Sequence, residues 1–576
     1  MADIEKQSSA SIKAEISEAQ VPNDTAAPNA KFQLSDPLKR QLKQRHVQMI
    51  AIAGTIGTGL FLGSGEALHV AGPLGALIAY MLVGTVAYSS LCSVGEMTTF
   101  APISGTFPHF AARWVDPAFG FAVGWNYFYG LAISVPVEVA AAVILLSFWD
   151  DNTSHAAIYT AVVCVLMCAI NIFGVRWVSL SRKLVMKFKA IYQILWGMYV
   201  DALFYKHTPS YSPSHIAEFF FALIKLSTII GLLLAGLVID LGGGPNHDRI
   251  GFRARALARA GLVSNINTDR FLAIMSVIIQ AAFSFTSMEL VAIAASETES
   301  PRRNIGKAVN RVVYRIVVFY VLGILMIGML VSYDDDALLN TSGNAAQSPF
   351  VIAFNRAGVK VLPHIINAAV FTSAFSAGNS YLFCGSRILY GLALRGQGPR
   401  FLTYCTKNGL PLTAVFVTCC FSLLSFMTVS SGAEQVFYWL QNLTATGGFI
   451  GWFCINLTYV FFRRGMLAQG FDLKANIYNH SWQPYLAWWG IFWTVFFTLI
   501  NGYAVFFSFN ISDFLVAYIN LPIFASLYFG YKFIMRTSVW KPEDMDLVTG
   551  IPSIEETEKP EVPPRTLLEK IAAILF

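Results

Sequence analysis

The chain has 576 residues, of which 55% are hydrophobic and only 13% are charged, with a formal net charge of +6. Soluble domains carry about 25% charged residues, so this composition excludes a soluble protein and indicates a polytopic membrane protein. The basic residues lie between apolar segments rather than in one run, so nucleic acid is not an expected partner.

The motifs that mark metal sites and enzymes do not occur in the sequence. The 8 cysteines form no C-x-x-C pair, and most of them lie in apolar segments, where they resemble small buried hydrophobic residues. The histidines have no ligand spacing such as H-E-x-x-H, and no G-x-S-x-G nucleophile motif is present. We therefore expect no metal, no cofactor and no enzymatic activity.

Residues 1–45 are polar and contain no apolar segment of the kind that a signal peptide requires. We expect a disordered cytosolic tail there, a transmembrane domain over 46–536 and a second cytosolic tail over 537–576.

At about 20 apolar residues per helix, the sequence predicts twelve transmembrane helices, which we number spans 1 to 12. They cover residues 47–67, 73–98, 117–148, 156–176, 219–241, 270–296, 312–332, 361–390, 413–430, 433–461, 485–507 and 512–536. Lysines and arginines precede span 1 and follow spans 6 and 10, which assigns these loops and both termini to the cytosol. The arginines of loop 242–269, between spans 5 and 6, are an exception to this rule.

Two spans are interrupted near their centres. Span 1 contains Gly54, Gly57 and Gly59, and span 6 contains a polar run from Ser284 to Glu289. Broken helices at corresponding positions of two five-helix halves indicate an inverted repeat. We therefore predict an all-α fold with a 5+5 inverted-repeat core and two additional helices.

The broken helices are also the predicted substrate site. Amides of the second half of span 1 favour a carboxylate, and carbonyls freed in both breaks attract an ammonium, so together they describe an amino acid. The candidate substrate-binding residues are Ala53, Gly54, Thr55, Ile56, Gly57, Thr58, Gly59, Phe285, Thr286 and Ser287. The alternative is that the glycines only allow two helices to pack closely.

Three ionisable residues lie within spans: Glu138 in span 3, Lys225 in span 5 and Glu289 in span 6. A charge inside the membrane is costly and is functional by default, so these residues are candidates for proton coupling. The alternatives are a structural ion pair or, for Lys225, a side chain that reaches the membrane interface.

A series of motifs resembles the fungal amino-acid permeases of the amino acid–polyamine–organocation superfamily. The motifs are Arg45 to Ile50, Gly95-Glu96-Met97, Gly124 to Tyr127, Phe221 to Lys225, Glu297 to Arg303 and Ser386 to Gly391. The resemblance implies a leucine-transporter-like fold and proton-driven amino-acid uptake at the plasma membrane, with Lys225 in place of the sodium ion of related transporters. Amino acids, protons and membrane lipid are the implied partners, and the oligomeric state is left open.

Within this family, residues 240–249 and 373–381 look most like the branch that carries acidic amino acids. One departure lies in span 6, where relatives usually read Phe-x-Gly-Thr-Glu and this chain has Ser287 and Met288 in place of the Gly-Thr pair. We expect the missing glycine to stiffen the break.

Two other functions remain open. One is a transport-inactive amino-acid sensor on the same fold, which a long distinctive tail would favour. The other is a membrane-embedded enzyme, which would need a catalytic His or Asp cluster at the end of a span, and the sequence shows no such cluster.

Residues 178–217 are predicted to be a translated intron. The segment begins Val178-Ser179, as a fungal donor site does when read in frame, and its removal would join Trp177 to Glu218 near the family spacing. The alternative is an amphipathic helix that lies on the membrane. Sequencing the messenger RNA tests this: mature transcripts should lack these codons, and a transporting full-length form that retains them would refute the idea.

Overall fold

The computed structural model describes residues 57–558 with some gaps. The gaps are 104–105, 151, 173–212, 244–246, 248, 252–256, 259, 291–299, 336–337, 339–347, 360, 407–409 and 474–475. By its contacts the chain divides into Met1–Pro37 and Leu38–Phe576, and all described residues belong to the second unit. The predicted tail 1–45 and most of the predicted insert 178–217 lie outside the described residues, so the predicted domain boundaries stay predictions.

All regular structure in the described part of the chain is helical, and each predicted span overlaps a helix in its described part. The helices are Gly59–Phe100 (the end of span 1 and all of span 2), Pro117–Leu146, Ala156–Ile172, Pro213–Asp240, Ile266–Phe285, Pro301–Leu330, Leu362–Leu394, Leu412–Ser430, Ala433–Ala468, Tyr485–Phe506, Ile511–Tyr518 and Asn520–Met535. By length and composition, 7 of the described helices could each cross a membrane, or 8 if the last two, bent by 46°, form one span.

Gly72 separates span 1 from span 2. Its φ of +74° is a backbone conformation that side chains disfavour, and an added Cβ would lie 2.6 Å from the backbone nitrogen of Ala258. Pro73 then begins the next helical segment. The chain therefore turns here because both the backbone conformation and the available space require glycine.

Span 3 packs along spans 8 and 10 and forms a central support. Its helix begins after Asp116, whose carboxylate accepts from the Ala118 amide at 2.9 Å and from Lys532 Nζ of span 12 at 2.6 Å. The Asp116 side chain is fully buried, so the lysine compensates a charge that would otherwise be costly. This contact fixes one of the two additional helices to the core.

Glu96 connects span 2 to the loop between spans 10 and 11. Its carboxylate accepts from the Tyr459 hydroxyl at 2.6 Å and from the His480 backbone amide at 2.8 Å. The Asn476 side chain donates to the Glu96 carbonyl at 3.0 Å. A buried carboxylate that accepts several hydrogen bonds thus holds this loop against the helices.

The segment after span 12, which we call the C-terminal strap (residues 537–558), crosses one end of the helical domain. Arg113 donates to the carbonyls of Asp546 and Thr549, each at 2.6 Å, and forms an ion pair with the Asp546 carboxylate at 2.9 Å. Gln469, at the end of span 10, donates to the Met545 carbonyl at 2.7 Å. The strap is therefore packed on the helices rather than separate from them.

The contacts of the C-terminal strap also place several loops at the same end of the helical domain. The strap contacts the loop between spans 2 and 3 at Arg113, the start of the helix of span 7 at Arg302, and the end of span 10 at Gln469. The sequence assigns all of these segments to the cytosolic side, and an even number of spans separates each from the next. The structure thus agrees with the predicted order of crossings.

Arg113→Ala should detach the strap. The Arg113 side chain is only 6% exposed, so its charge-assisted hydrogen bonds are shielded from water, and their loss should cost about 2 kcal/mol of stability. Limited proteolysis of the purified protein should then cut within 537–558 faster, and the melting temperature should fall. Glu555→Ala, at an exposed position of the same segment, is the matched control. Equal cleavage rates in the two variants would contradict the assigned role of Arg113.

Candidate functional site

The described part of span 1 begins at Gly57, directly at the predicted break. Thr58 precedes a π-helical turn, Gly59–Gly63, which continues into the helix Ser64–Phe100. Such π-helical turns are rare and frequently occur at functional sites. The predicted binding residues Ala53, Gly54, Thr55 and Ile56 lie outside the described residues.

The predicted interruption of span 6 is confirmed. The helix Ile278–Phe285 ends where Thr286 adopts φ −58° and ψ 149°, and Ser287 follows with a φ of +69°. Hydroxyl groups satisfy the carbonyls freed by this ending: Thr286 Oγ1 donates to Phe283 O at 2.7 Å, and the Tyr320 hydroxyl donates to Ser284 O at 2.8 Å. The break is therefore a defined turn with internal hydrogen bonds.

The described start of span 1 lies against the break of span 6. A Cβ on Gly59 would lie 2.8 Å from Ser284 Oγ and 2.9 Å from Phe283 Cδ1 of span 6. Close packing therefore requires glycine at position 59, as the alternative interpretation proposed. A Cβ on Gly57 would meet no described atom within 4 Å, so no contact with the described residues requires glycine there.

The structure brings two predicted coupling residues to the break of span 1. The Thr58 hydroxyl donates to the Glu138 carboxylate, at 3.2 Å from Oε1 and 3.1 Å from Oε2. Glu138 also interacts electrostatically with Lys225, which is 2% exposed. The Lys225 ammonium is thus buried, and the alternative in which it reaches the membrane interface is wrong.

Glu289, the third candidate, lies on the other side of Tyr381. The Trp452 indole donates to Glu289 Oε2 at 3.4 Å. The Tyr381 hydroxyl is hydrogen bonded to Ser287 and lies within the electrostatic reach of both Glu138 and Glu289. Tyr381 therefore links Glu289 to Glu138, which in turn interacts with Lys225, and all three ionisable residues are buried.

Sequence reasoning missed the aromatic residues of this region, Tyr127, Tyr381 and Trp452. The Tyr127 hydroxyl is buried and has no hydrogen-bond partner among the described residues, although it lies close to Glu289. A tyrosine in the middle of an apolar span was an available signal, because a buried hydroxyl group requires a partner.

Comparison with known proteins identifies the family. The model of the amino acid permease family matches residues 46–196 and 210–543. The chain belongs to this family. A proline-specific permease of Emericella nidulans is 38% identical over 92% of each chain. A dicarboxylic amino acid permease of Saccharomyces cerevisiae is 35% identical, over 89% of this chain and 80% of its own. A lysine/arginine permease of Candida albicans is 35% identical, over 93% of this chain and 90% of its own.

Family membership confirms several predictions. The chain is a multi-pass membrane protein with the leucine-transporter-like fold, and it is an amino-acid transporter rather than an enzyme. A relative from the dicarboxylic branch agrees with the predicted branch.

The family match also bears on the segment 178–217, which the sequence predicts to be a translated intron. Only residues 197–209 fall between the two matched ranges, so both flanks of the segment 178–217 resemble the family. The match therefore contradicts an intron that covers the whole of 178–217, since residues 178–196 and 210–217 fall within the matched ranges. The structure adds that residues 213–217 belong to the helix of span 5, Pro213–Asp240.

Ser287 stands where relatives usually have glycine, and its φ of +69° is costly for a residue with a side chain. Ser287→Gly should relieve this strain but lose the hydroxyl bonded to Tyr381. Ser287→Ala loses the same hydroxyl and keeps the Cβ, so it is the matched control. We expect the glycine variant to be more stable than the alanine variant by about 1 kcal/mol, measured by thermal unfolding of purified protein. Equal stability would mean that the break carries no strain at this position.

Proposed function

We propose that the chain is a proton-coupled amino-acid importer, a symporter of the plasma membrane. The observation that carries the proposal is the hydrogen bond from Thr58 to Glu138. It connects the predicted carboxylate-binding amides of span 1 to a carboxylate that interacts with the Lys225 ammonium. Substrate and proton sites are therefore joined by one residue.

This geometry provides a way for substrate binding and proton binding to influence each other. A substrate carboxylate at the amides of residues 57–59 brings a negative charge close to the Glu138–Lys225 pair and acts on Thr58, which bonds directly to Glu138. The charge state of the pair then affects substrate affinity, and bound substrate affects proton affinity by the same factor. A buried lysine suits this role because its protonation responds strongly to its surroundings.

The surroundings of Gly57 support this placement of the substrate, because an added Cβ there would meet no described atom within 4 Å. A carboxylate at this point would meet the first amides of the outer half-helix, where the helix dipole favours negative charge. The Tyr127 hydroxyl, which has no hydrogen-bond partner among the described residues and lies close to Glu289, is a further candidate contact. Ala53, Gly54, Thr55 and Ile56 remain proposed contacts.

We further propose a preference for acidic amino acids, on the branch resemblance and on the chemistry of Lys225. A second substrate carboxylate needs a cation inside the membrane, and Lys225 is buried beside the break. The proline, dicarboxylic and lysine/arginine permeases have similar sequence identity to this chain, so identity alone does not decide which of these substrates it carries. Measuring the uptake of labelled amino acids also distinguishes an importer from a transport-inactive sensor.

Lys225→Met should abolish accumulation driven by a proton gradient. The apolar side chain preserves most of the volume but cannot carry a proton, so entry should become insensitive to the gradient. The measurement is uptake of labelled glutamate into vesicles with and without an imposed gradient, normalised to the protein in the membrane. Unlabelled aspartate, proline and lysine serve as competitors, and aspartate should compete best.

Lys532→Met is the matched control, because Lys532 is also a lysine within a span but pairs with Asp116 away from the breaks. It should lower the protein level and leave the gradient dependence unchanged. If the Lys225 variant still accumulated substrate in response to the gradient, another group would have to couple proton entry to transport. Absence of uptake of every tested amino acid by the unmodified chain would instead favour the sensor.

A further inference from the structure

A group of four cysteines lies where span 4 packs against span 9. Cys164 and Cys168 belong to span 4, and Cys419 and Cys420 belong to span 9. All four are free thiols. Cys164 and Cys168 are four residues apart and therefore lie on one face of their helix. A single cysteine of span 9 can thus be close to both thiols of span 4.

Cys168 and Cys419 are in direct contact through a hydrogen bond between their side chains. The position of Ser422 supports this contact, because Ser422 follows Cys419 by one helical turn and lies on the same side of span 9. Its hydroxyl donates to the Cys419 carbonyl at 2.6 Å and lies 3.9 Å from Cys168 Sγ. The Cys164 thiol has a different partner, Ser425 Oγ, at 3.3 Å. Cys168 is therefore the thiol that span 4 presents to Cys419.

The Cys168–Cys419 pair lies inside the hydrocarbon layer. Cys168 is twelve residues beyond Ala156, where the helix of span 4 begins, and Cys419 is seven residues beyond Leu412, where span 9 begins. These separations correspond to about 18 Å and about 10 Å of helix. In the predicted topology the two helices begin at opposite membrane surfaces, and the two lengths together match a hydrocarbon layer of about 30 Å. Both thiols are therefore at the same depth.

The surface next to the pair is apolar and accessible to lipid. One turn before each cysteine is an exposed apolar side chain, Val165 at 65% and Phe416 at 64% exposure. Cys168 and Cys419 are themselves partly exposed. Reagents that dissolve in hydrocarbon can therefore reach the pair, whereas charged groups enter this layer only at a high cost. Glutathione, the charged thiol that reduces cytosolic disulfides, is kept away from it.

We propose that Cys168 and Cys419 form a redox site that lipid hydroperoxides convert to a disulfide. The Cys168 sulfur attacks the terminal peroxide oxygen, the O–O bond breaks, and the lipid leaves as an alcohol that takes the thiol proton. The Cys419 sulfur then attacks the sulfenic acid formed at Cys168. The S–S bond forms, the S–O bond breaks, and water leaves with the second thiol proton. The two thiols are oxidised, and the peroxide is reduced to an alcohol and water.

Span 4 connects this redox site to a proposed coupling residue. Met167, next to Cys168, is fully buried, and a Cβ added to Gly378 would lie 2.8 Å from Met167 Cε and 3.2 Å from Glu138 Cβ. A disulfide needs its sulfur atoms closer than a hydrogen bond places them, so it moves span 4 towards span 9 and disturbs the packing of Met167 beside Glu138. The effect on uptake rests on the proposed function, whereas the formation of the disulfide does not.

Peptide mass spectrometry tests the formation of the disulfide. Purified full-length protein in lipid nanodiscs is treated with cumene hydroperoxide, an apolar organic peroxide, and the remaining thiols are blocked with N-ethylmaleimide before digestion. We expect a linked peptide pair that joins Cys168 to Cys419 and is separated by dithiothreitol. Cys168→Ser and Cys419→Ser should each abolish it. Cys164→Ser is the matched control, since this thiol of the same helix bonds to Ser425, and it should form the same pair.

Uptake of labelled amino acid into vesicles tests the consequence. Cumene hydroperoxide should slow uptake by the unmodified chain roughly tenfold, because small displacements near reacting groups have large effects on rate. Dithiothreitol should restore the rate. Cys168→Ser should resist the peroxide, whereas Cys405→Ser, which removes a thiol of the loop between spans 8 and 9, should be as sensitive as the unmodified chain. Melting temperatures verify that each variant is folded.

The outcomes separate this inference from the proposed function. A disulfide between other cysteines, or oxidation of single cysteines without a linked pair, would overturn the redox site. The Cys168–Cys419 disulfide in a chain whose uptake is unaffected would support the site and refute its connection to Glu138. The same disulfide in a chain that takes up none of the tested amino acids would support the site and contradict the proposed function.

Discussion

The hydrogen bond between the Thr58 hydroxyl and the Glu138 carboxylate is the interaction around which the membrane domain is organised. A carboxylate inside the membrane is costly unless hydrogen bonds and an opposite charge compensate it. Thr58 supplies the first and Lys225 the second. Thr58 lies at the start of the described part of span 1, beside the predicted break, so this hydrogen bond places the buried charges next to that position.

The break of span 6 is closed by the protein itself, because the hydroxyls of Thr286 and Tyr320 donate to carbonyls freed by the helix ending. In the described part of span 1, Gly59 contacts span 6, while an added Cβ at Gly57 would meet no described atom within 4 Å. The fixed turn of span 6 therefore lies against the point at which the described part of span 1 begins.

The remainder of the fold supports this region from its two ends. On the side assigned to the cytosol, Glu96 and the C-terminal strap join the short helix Thr106–Trp114, span 10 and the start of span 7 through hydrogen bonds and one ion pair. On the opposite side, the Asn501 side chain of span 11 donates to Asn442 Oδ1 of span 10 at 2.9 Å and to the Ala517 carbonyl of span 12 at 3.2 Å.

The pattern of apolar segments was sufficient to predict the helices, the interruption of span 6 and the membrane character of the chain, because hydrocarbon permits few alternatives to a hydrogen-bonded helix. It also identified Glu138, Lys225 and Glu289, since charges are conspicuous in an apolar span. It could not show that Thr58 bonds to Glu138 or that Tyr381 lies between two carboxylates, because those residues are far apart in the chain. Such contacts, and the close approach of Gly59 to span 6, arise when distant helices pack together, and a linear periodicity contains no information about which side chains then meet.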